Sequence, residues 1–217
     1  DPASGAANNT SGLANPVHLF SAPGTYNVRF SNITTPGCLS DTLTKQITVT
    51  NIPTAEFTFS SPLCEGRPVT ITDASSASLP GILAKWYWDF GDGNPPVTSL
   101  NGNAHSITYT PWGPRTVTLM VETNSGCQST VTSHSTTIHA VPVAKFTHLQ
   151  ACLPYQAASF TNTSTVADAT AMSYLWNFGE PVSGAANSST ATNPSHLYSG
   201  TGPFNVTLTA TNAGGCA

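Results

Sequence analysis

Charge is scarce in this sequence. Of its 217 residues only 7% are charged, 6 basic against 10 acidic for a formal net charge of -4, where soluble domains carry about 25%. That shortage excludes a polybasic nucleic-acid binder and leaves few groups for acid–base catalysis. No apolar run approaches the roughly 20 residues that carry a helix across a bilayer, so no membrane-spanning segment is expected. The five cysteines include no Cys-x-x-Cys pair and no histidine stands at ligand spacing, which argues against zinc. Gly-x-Ser-x-Gly, His-Glu-x-x-His, Walker and Gly-x-Gly-x-x-Gly motifs are all missing; neither enzyme activity nor a cofactor is expected.

What fills the space is hydroxyl and amide: 33 Thr, 24 Ser and 16 Asn, alongside 17 Gly and 17 Pro. Hydrophobic residues at 39% suffice for packed cores. A hydroxylated, nearly neutral surface suits exported or glycosylated material better than cytoplasmic proteins. Asp1 is not an initiator Met and no signal peptide leads the chain, so a processed chain or a slice of a longer one is expected.

Self-similarity organises the chain. The stretches from His18 to Val28, Thr108 to Val117 and His196 to Val206 fall into register, and the cysteines after them, Cys38, Cys127 and Cys216, are 89 residues apart both times. Pro53 and Pro142, and Phe57 and Phe146, are 89 apart; Cys64 and Cys152, and Trp88 and Trp176, are 88 apart. Such a period is too long for a helical solenoid and suits small domains in series. The expected division is 1–51 (the C-terminal part of one domain), 52–140 (a complete domain) and 141–217 (a domain lacking its last strand), with prolines setting the angle at each boundary.

Within the middle period, alternation recurs at period two and helical periodicity does not. Strands are expected over 54–59, 68–73, 85–90, 105–110, 116–123 and 130–139. Val117, Leu119 and Val121 share one face, and Trp86, Trp88 and Phe90 another, answered by Tyr174, Trp176 and Phe178 one period on. Aromatics of this size remove 150–250 Å² each from water, so they should anchor the core. The fold class is all-β: tandem immunoglobulin-like antiparallel β-sandwiches, about 89 residues per repeat. A disulfide within each repeat is expected, Cys64 with Cys127 and Cys152 with Cys216. Closing about 60 residues is worth roughly 4 kcal/mol in the chain-entropy model. Cys38 would then find its partner outside the chain; five buried thiols are the alternative.

Trp88-Asp89-Phe90-Gly91-Asp92-Gly93, followed by Tyr109-Thr-Pro-Trp-Gly113 and Val117-Thr-Leu-Met-Val121, resembles the PKD (polycystic kidney disease) domain. The resemblance covers all three copies, and the paired cysteines look like those of PKD-like repeats in very long surface proteins and adhesins of Bacteroidota-type bacteria. The third copy departs from the motif as Trp176-Asn-Phe178-Gly179-Glu-Pro. Losing both aspartates there favours a structural role for Asp89 and Asp92, as acceptors of backbone hydrogen bonds in the hairpin, over Ca²⁺ binding.

The resemblance implies a structural repeat of an extracellular stalk, adhesin or filament at a cell surface. Its partners would be neighbouring repeats, other copies in a filament, and glycans. The rival it implies is an accessory substrate-binding module of a secreted polysaccharide- or protein-degrading enzyme. Asn8, Asn9, Asn32, Asn162, Asn187 and Asn205 begin Asn-x-Ser/Thr sequons, and Asp41-Thr42-Leu43 looks like a Bacteroidota O-glycosylation signal. Tyr87 and Trp112 are expected to point outward or sit in a loop, where aromatics can stack on a polysaccharide or protein ligand. His18 and His196 recur at one repeat position, which suggests packing or hydrogen bonding inside the fold.

Overall fold

The computed structural model describes residues 1–217 except 2, 4, 6–8, 36, 150, 151 and 153–155. Alternating Thr and apolar residues make the longest pairings. β1 (Gly24–Phe30) and β2 (Leu43–Val49) form an antiparallel pair. The middle repeat holds β3 (Phe57–Phe59), β4 (Pro68–Asp73), β5 (Leu83–Asp89), β6 (Val97–Ser99), β7 (His105–Thr108), β8 (Gly113–Thr123) and β9 (Thr132–Ile138). They form two antiparallel sheets, ordered β3-β4-β7 and β6-β5-β8-β9. The third repeat holds β10 (Phe146–Leu149), β11 (Ala158–Asn162), β12 (Met172–Asn177), β13 (Ser188–Ser189), β14 (Ser195–His196) and β15 (Thr207–Asn212), in the orders β10-β11-β14 and β13-β12-β15. Each sheet order repeats that of the middle copy, with no counterpart of β9 among the described residues of 141–217.

Period-two alternation decides what is buried. Along β8, Val117, Leu119 and Val121 are fully buried while Thr118 and Met120 between them are half-buried. These three, with Trp86, Trp88 and Ile138, face Phe57, Val69 and Ile71 of the opposite sheet. Trp88 lies edge-on to Phe57 at 5.3 Å and stacks on Phe90 at 5.6 Å between ring centroids. The third repeat is built more thinly: Val69 becomes Ala158 and Ile107 becomes His196. Its buried apolar cluster is Ala158, Phe160, Trp176 and Phe178. A cavity of about 780 Å³ opens there beside Phe146, Ala158, Phe160, Tyr198 and Phe204. On β1, Val28 and Phe30 are exposed, where their counterparts Val117 and Leu119 are covered by the opposite sheet.

Five expected strands match the middle repeat to within a few residues, while 54–59 shortens to β3. Two elements were not expected. β6 is only three residues after Pro95-Pro96, too short to alternate visibly, and pairs with the middle of β5. Pro181–Asn187 forms a 3₁₀ segment of small residues with no buried face.

The hairpin after β5 shows what the Trp-Asp-Phe-Gly motif does. Asp89 Oδ1 accepts the Gly91 N–H at 2.9 Å, and Asn177 Oδ1 accepts the Gly179 N–H at 2.9 Å in the third repeat. An Asp and an Asn do the same work, since only an acceptor oxygen is required. Asp92 closes a second turn onto the Asn94 N–H at 3.0 Å, and Gly93 follows at positive φ. Gly91 has φ 63° and Gly179 φ 75°, and a Cβ on either would run into the backbone of β8 at Thr116 or of the loop at Asn205. Gly91→Ala should therefore lower the middle repeat's stability by about 1–3 kcal/mol, read from its urea midpoint.

The cysteine pairing differs from the expectation. Cys64 is bonded to Cys216, with 5.6 Å between Cα atoms, and Cys38, Cys127 and Cys152 are free. Both expected intra-repeat bonds, Cys64–Cys127 and Cys152–Cys216, are thereby replaced. The reason is strand length. Cys127 lies in the β8–β9 turn, whereas Cys64 bridges His139 just past the far end of β9. Seven strand residues separate those ends by roughly 20 Å, while a disulfide needs Cα atoms within about 7 Å.

Candidate functional site: the junction between repeats

The chain passes from the middle to the third repeat between His139 and Ala140, and the backbone hydrogen bonds change partners there. The His139 N–H donates to the Leu63 carbonyl at 2.8 Å and its carbonyl accepts from Glu65 at 2.9 Å, both in the middle repeat. The Ala140 N–H donates to Asp168 Oδ2 at 3.1 Å and its carbonyl accepts from Asn212 Nδ2 at 2.8 Å, both in the third. Ala140 is 1% exposed, and a buried peptide left unpaired would be costly. These four bonds hold the crossover peptides from both sides.

Side chains extend the clamp. Asp168 Oδ2 also accepts from His139 Nδ1 at 3.1 Å, and its Oδ1 accepts the Thr170 hydroxyl at 2.7 Å. The His139 ring occupies space that Gly214 leaves open, since a Cβ on Gly214 would overlap it. Asn212 Oδ1 accepts the Cys216 N–H at 2.9 Å, shaping the turn that brings Cys216 to Cys64. Arg67 Nη2 reaches the Ala217 carbonyl at 3.5 Å. The junction is thus closed by one covalent bond, a charge-assisted contact and paired backbone.

Burial disfavours the charged form of Asp168, but the Thr170 hydroxyl and N–H, His139 and the Ala140 N–H outweigh it and hold the carboxyl down at about 2, from an ordinary 3.8. A depressed carboxyl contributes stability that is complete above pH 3.8 and is lost as pH falls through 2. Acid titration of unfolding should show the native chain losing more stability between pH 4 and 2 than Asp168→Asn, with the two converging at the acid end.

A second buried polar cluster lies inside the third repeat. Glu180, 2% exposed, accepts from the Ser199 hydroxyl at 2.7 Å, the Ser199 N–H at 2.8 Å and His196 Nε2 at 2.8 Å. The Ser199 hydroxyl foremost, then its N–H and His196, outweigh burial and hold the Glu180 carboxyl below its usual range. The His196 ring stacks on Phe178 at 4.5 Å. Ser199 donates to the carboxylate rather than to the imidazole, the reverse of what nucleophile activation requires. The first segment repeats the arrangement, with Ser21 donating to Asp1 and His18 Nε2 at 3.8 Å from it. In the middle repeat Ile107 stands in the histidine's place and Asp92 turns to Asn94 instead. The recurring histidines therefore accompany a buried acid.

Among the described residues no group of three or more His, Cys, Asp or Glu could hold a metal ion, and no helix is long and apolar enough to cross a membrane. Of the sequons, Asn9, Asn32 and Asn205 are exposed, as is Thr42 just before β2. Asn162 is half-buried, with its Oδ1 accepting from Ser164. Asn187 spends both ends of its amide on Glu180 and Asn177, and Asn8 lies outside the described residues. Tyr87 is committed too, its hydroxyl donating to Glu122 Oε2 at 2.8 Å, while Trp112 stays 39% exposed. Asp168 and His139 carried no sequence signal because neither recurs one repeat earlier, and Asn212 was hidden because a threonine, Thr123, holds its repeat position.

The PKD domain profile matches residues 50–138 and 139–217, dividing the chain one residue before the hydrogen bonds do. Polycystin-1-like protein 1 of Oryzias latipes is 30% identical over 148 residues, which are 66% of this chain and 5% of that protein. The chain thus spans about a twentieth of the curated relative it matches. Among solved structures, the PKD1 domain of Vibrio anguillarum Epp is 28% identical, covering 42% of this chain and 96% of its own, with a TM-score of 0.35. The PKD1 domain of the Vibrio cholerae metalloprotease PrtV is also 28% identical over 41% and 98%, with a TM-score of 0.34. A study of carbohydrate-binding modules of the β-sandwich superfamily supplies a match at 17% identity over 75% and 84%, with a TM-score of 0.37. With two matched repeats covering most of its length, the chain belongs to the PKD domain family.

Proposed function

We propose that these repeats are a non-catalytic structural segment of an extended extracellular stalk, adhesin or filament at a cell surface. The observation that carries the reading is the junction, where a disulfide and four hydrogen bonds to the backbone of His139 and Ala140, two of them made by the side chains of Asp168 and Asn212, leave the crossover no slack. Flexibly linked domains keep their relative motion, whereas a stapled junction holds one repeat on the end of the next. The disulfide favours an oxidising compartment, and the hydroxyl-rich surface, with Thr42, Asn9, Asn32 and Asn205 exposed, can carry glycans that keep strand edges from pairing.

Negative-stain microscopy of the native full-length protein, with antibody against this segment applied to intact cells, tests the reading. Thin rods much longer than two repeats and surface labelling are expected. A compact particle built around a catalytic module, or labelling only after permeabilisation, would overturn it.

A further inference from the structure

The bond between Cys64 and Cys216 joins the far end of one repeat to the near end of the next. Cys64 stands beside His139, where the middle repeat ends, and Cys216 in the turn after β15, facing that end. By the repeat period, Cys127 is the counterpart of Cys216 and Cys152 of Cys64. Each repeat therefore carries one cysteine at each end. Cys127 occupies the preceding junction as Cys216 does its own. Its Sγ lies 3.4 Å from the Oγ1 of Thr50, the residue 89 before His139, whose carbonyl lies 4.0 Å from the Cys216 Sγ. The turn is the same as well, Thr123 accepting the Cys127 N–H at 3.1 Å as Asn212 accepts that of Cys216.

We infer that Cys127 and Cys152 are disulfide-bonded across their junctions to the equivalent cysteines of the flanking repeats in the full-length protein. The preceding repeat's counterpart of Cys64 would bond Cys127, and the following repeat's counterpart of Cys216 would bond Cys152. The three free cysteines then have one explanation, with Cys38 bonded one repeat further back. Each bond forms by two-electron oxidation of two thiols, the protons and electrons passing to a thiol oxidant such as a disulfide oxidoreductase of the export compartment. The Thr50 hydroxyl, and Ser125 behind it, lower the Cys127 thiol's pKa, which raises the thiolate fraction that attacks.

Such staggered bonds give the array a covalent shortcut. Cys127 and Cys152 are 25 residues apart, about 85 Å of extended chain spanning two repeats. Unstapled, the same two repeats would pay out on the order of 600 Å. The stapled array stays nearly inextensible even where a repeat loses its fold.

The inference rests on the stalk reading, because it needs flanking PKD repeats. The native full-length protein is alkylated with iodoacetamide without reduction, digested and analysed by mass spectrometry. The expected result is no alkylated Cys127 or Cys152 and two cross-linked peptides joining each to a flanking repeat. Alkylated Cys127 or Cys152 beside intact flanking repeats would overturn the staple and leave the stalk standing, as would a Cys64–Cys127 peptide. Absence of flanking repeats would overturn both. In the Cys127→Ser variant only the peptide to the preceding repeat should disappear, with Cys64–Cys216 retained.

Discussion

Pulled from its two ends, the oxidised chain yields about 500 Å less contour than the reduced chain. The Cys64–Cys216 bond closes a loop of sequence separation 152, and at about 3.3 Å per residue none of that loop extends until the bond is broken. Force spectroscopy before and after reductant measures the difference directly, and Cys64→Ser should reproduce the reduced trace under oxidising conditions. Two intra-repeat bonds would lock about 420 Å instead and leave residues 127 to 152 free to extend. Loop closure also bears on equilibrium. A loop of this length is worth roughly 5 kcal/mol in the chain-entropy model, expressed only when both repeats unfold.

Truncating Trp88 should be the most damaging single change in the middle repeat. It is 1% exposed and packs against Phe57, Phe90 and His105, with ring centroids 5.3, 5.6 and 5.5 Å away. Trp88→Ala should cost about 3–5 kcal/mol, a large part of the 5–15 kcal/mol that holds an ordinary domain. Trp176→Ala loses similar contacts in a repeat with a smaller buried cluster. Urea unfolding should therefore show that repeat largely unfolded in the variant before denaturant is added. A cost under about 1 kcal/mol at either position would mean the tryptophan is not the centre of its core.

These cores were legible because their signal is local and repeated. Val117, Leu119 and Val121 alternate against polar neighbours, and Trp88 recurs at Trp176 with glycine at the same step behind it. A period seen twice fixes equivalence between positions, so the sheet order of one copy carries to the next. It does not fix which equivalent cysteine bonds which. Cys64 could pair with Cys127 or Cys216 on spacing alone, and what separates them is the length of β9, a three-dimensional distance. The junction was hidden for a related reason. Asp168 has no counterpart, Leu79 and Pro80 standing in its place, and His139 replaces a threonine. Gly214 opens room that only the folded His139 ring explains. The exchange of Asp92 for Glu180 looked like a lost motif, and in the fold it accompanies the exchange of Ile107 for His196.

The two repeats are bonded to each other rather than each to itself. Non-reducing digestion of this 217-residue chain, with mass spectrometry of the cross-linked peptides, tests it most directly. A peptide joining Cys64 to Cys216 is expected, with Cys127 and Cys152 not bonded to either. A peptide joining Cys64 to Cys127, or Cys152 to Cys216, would contradict it.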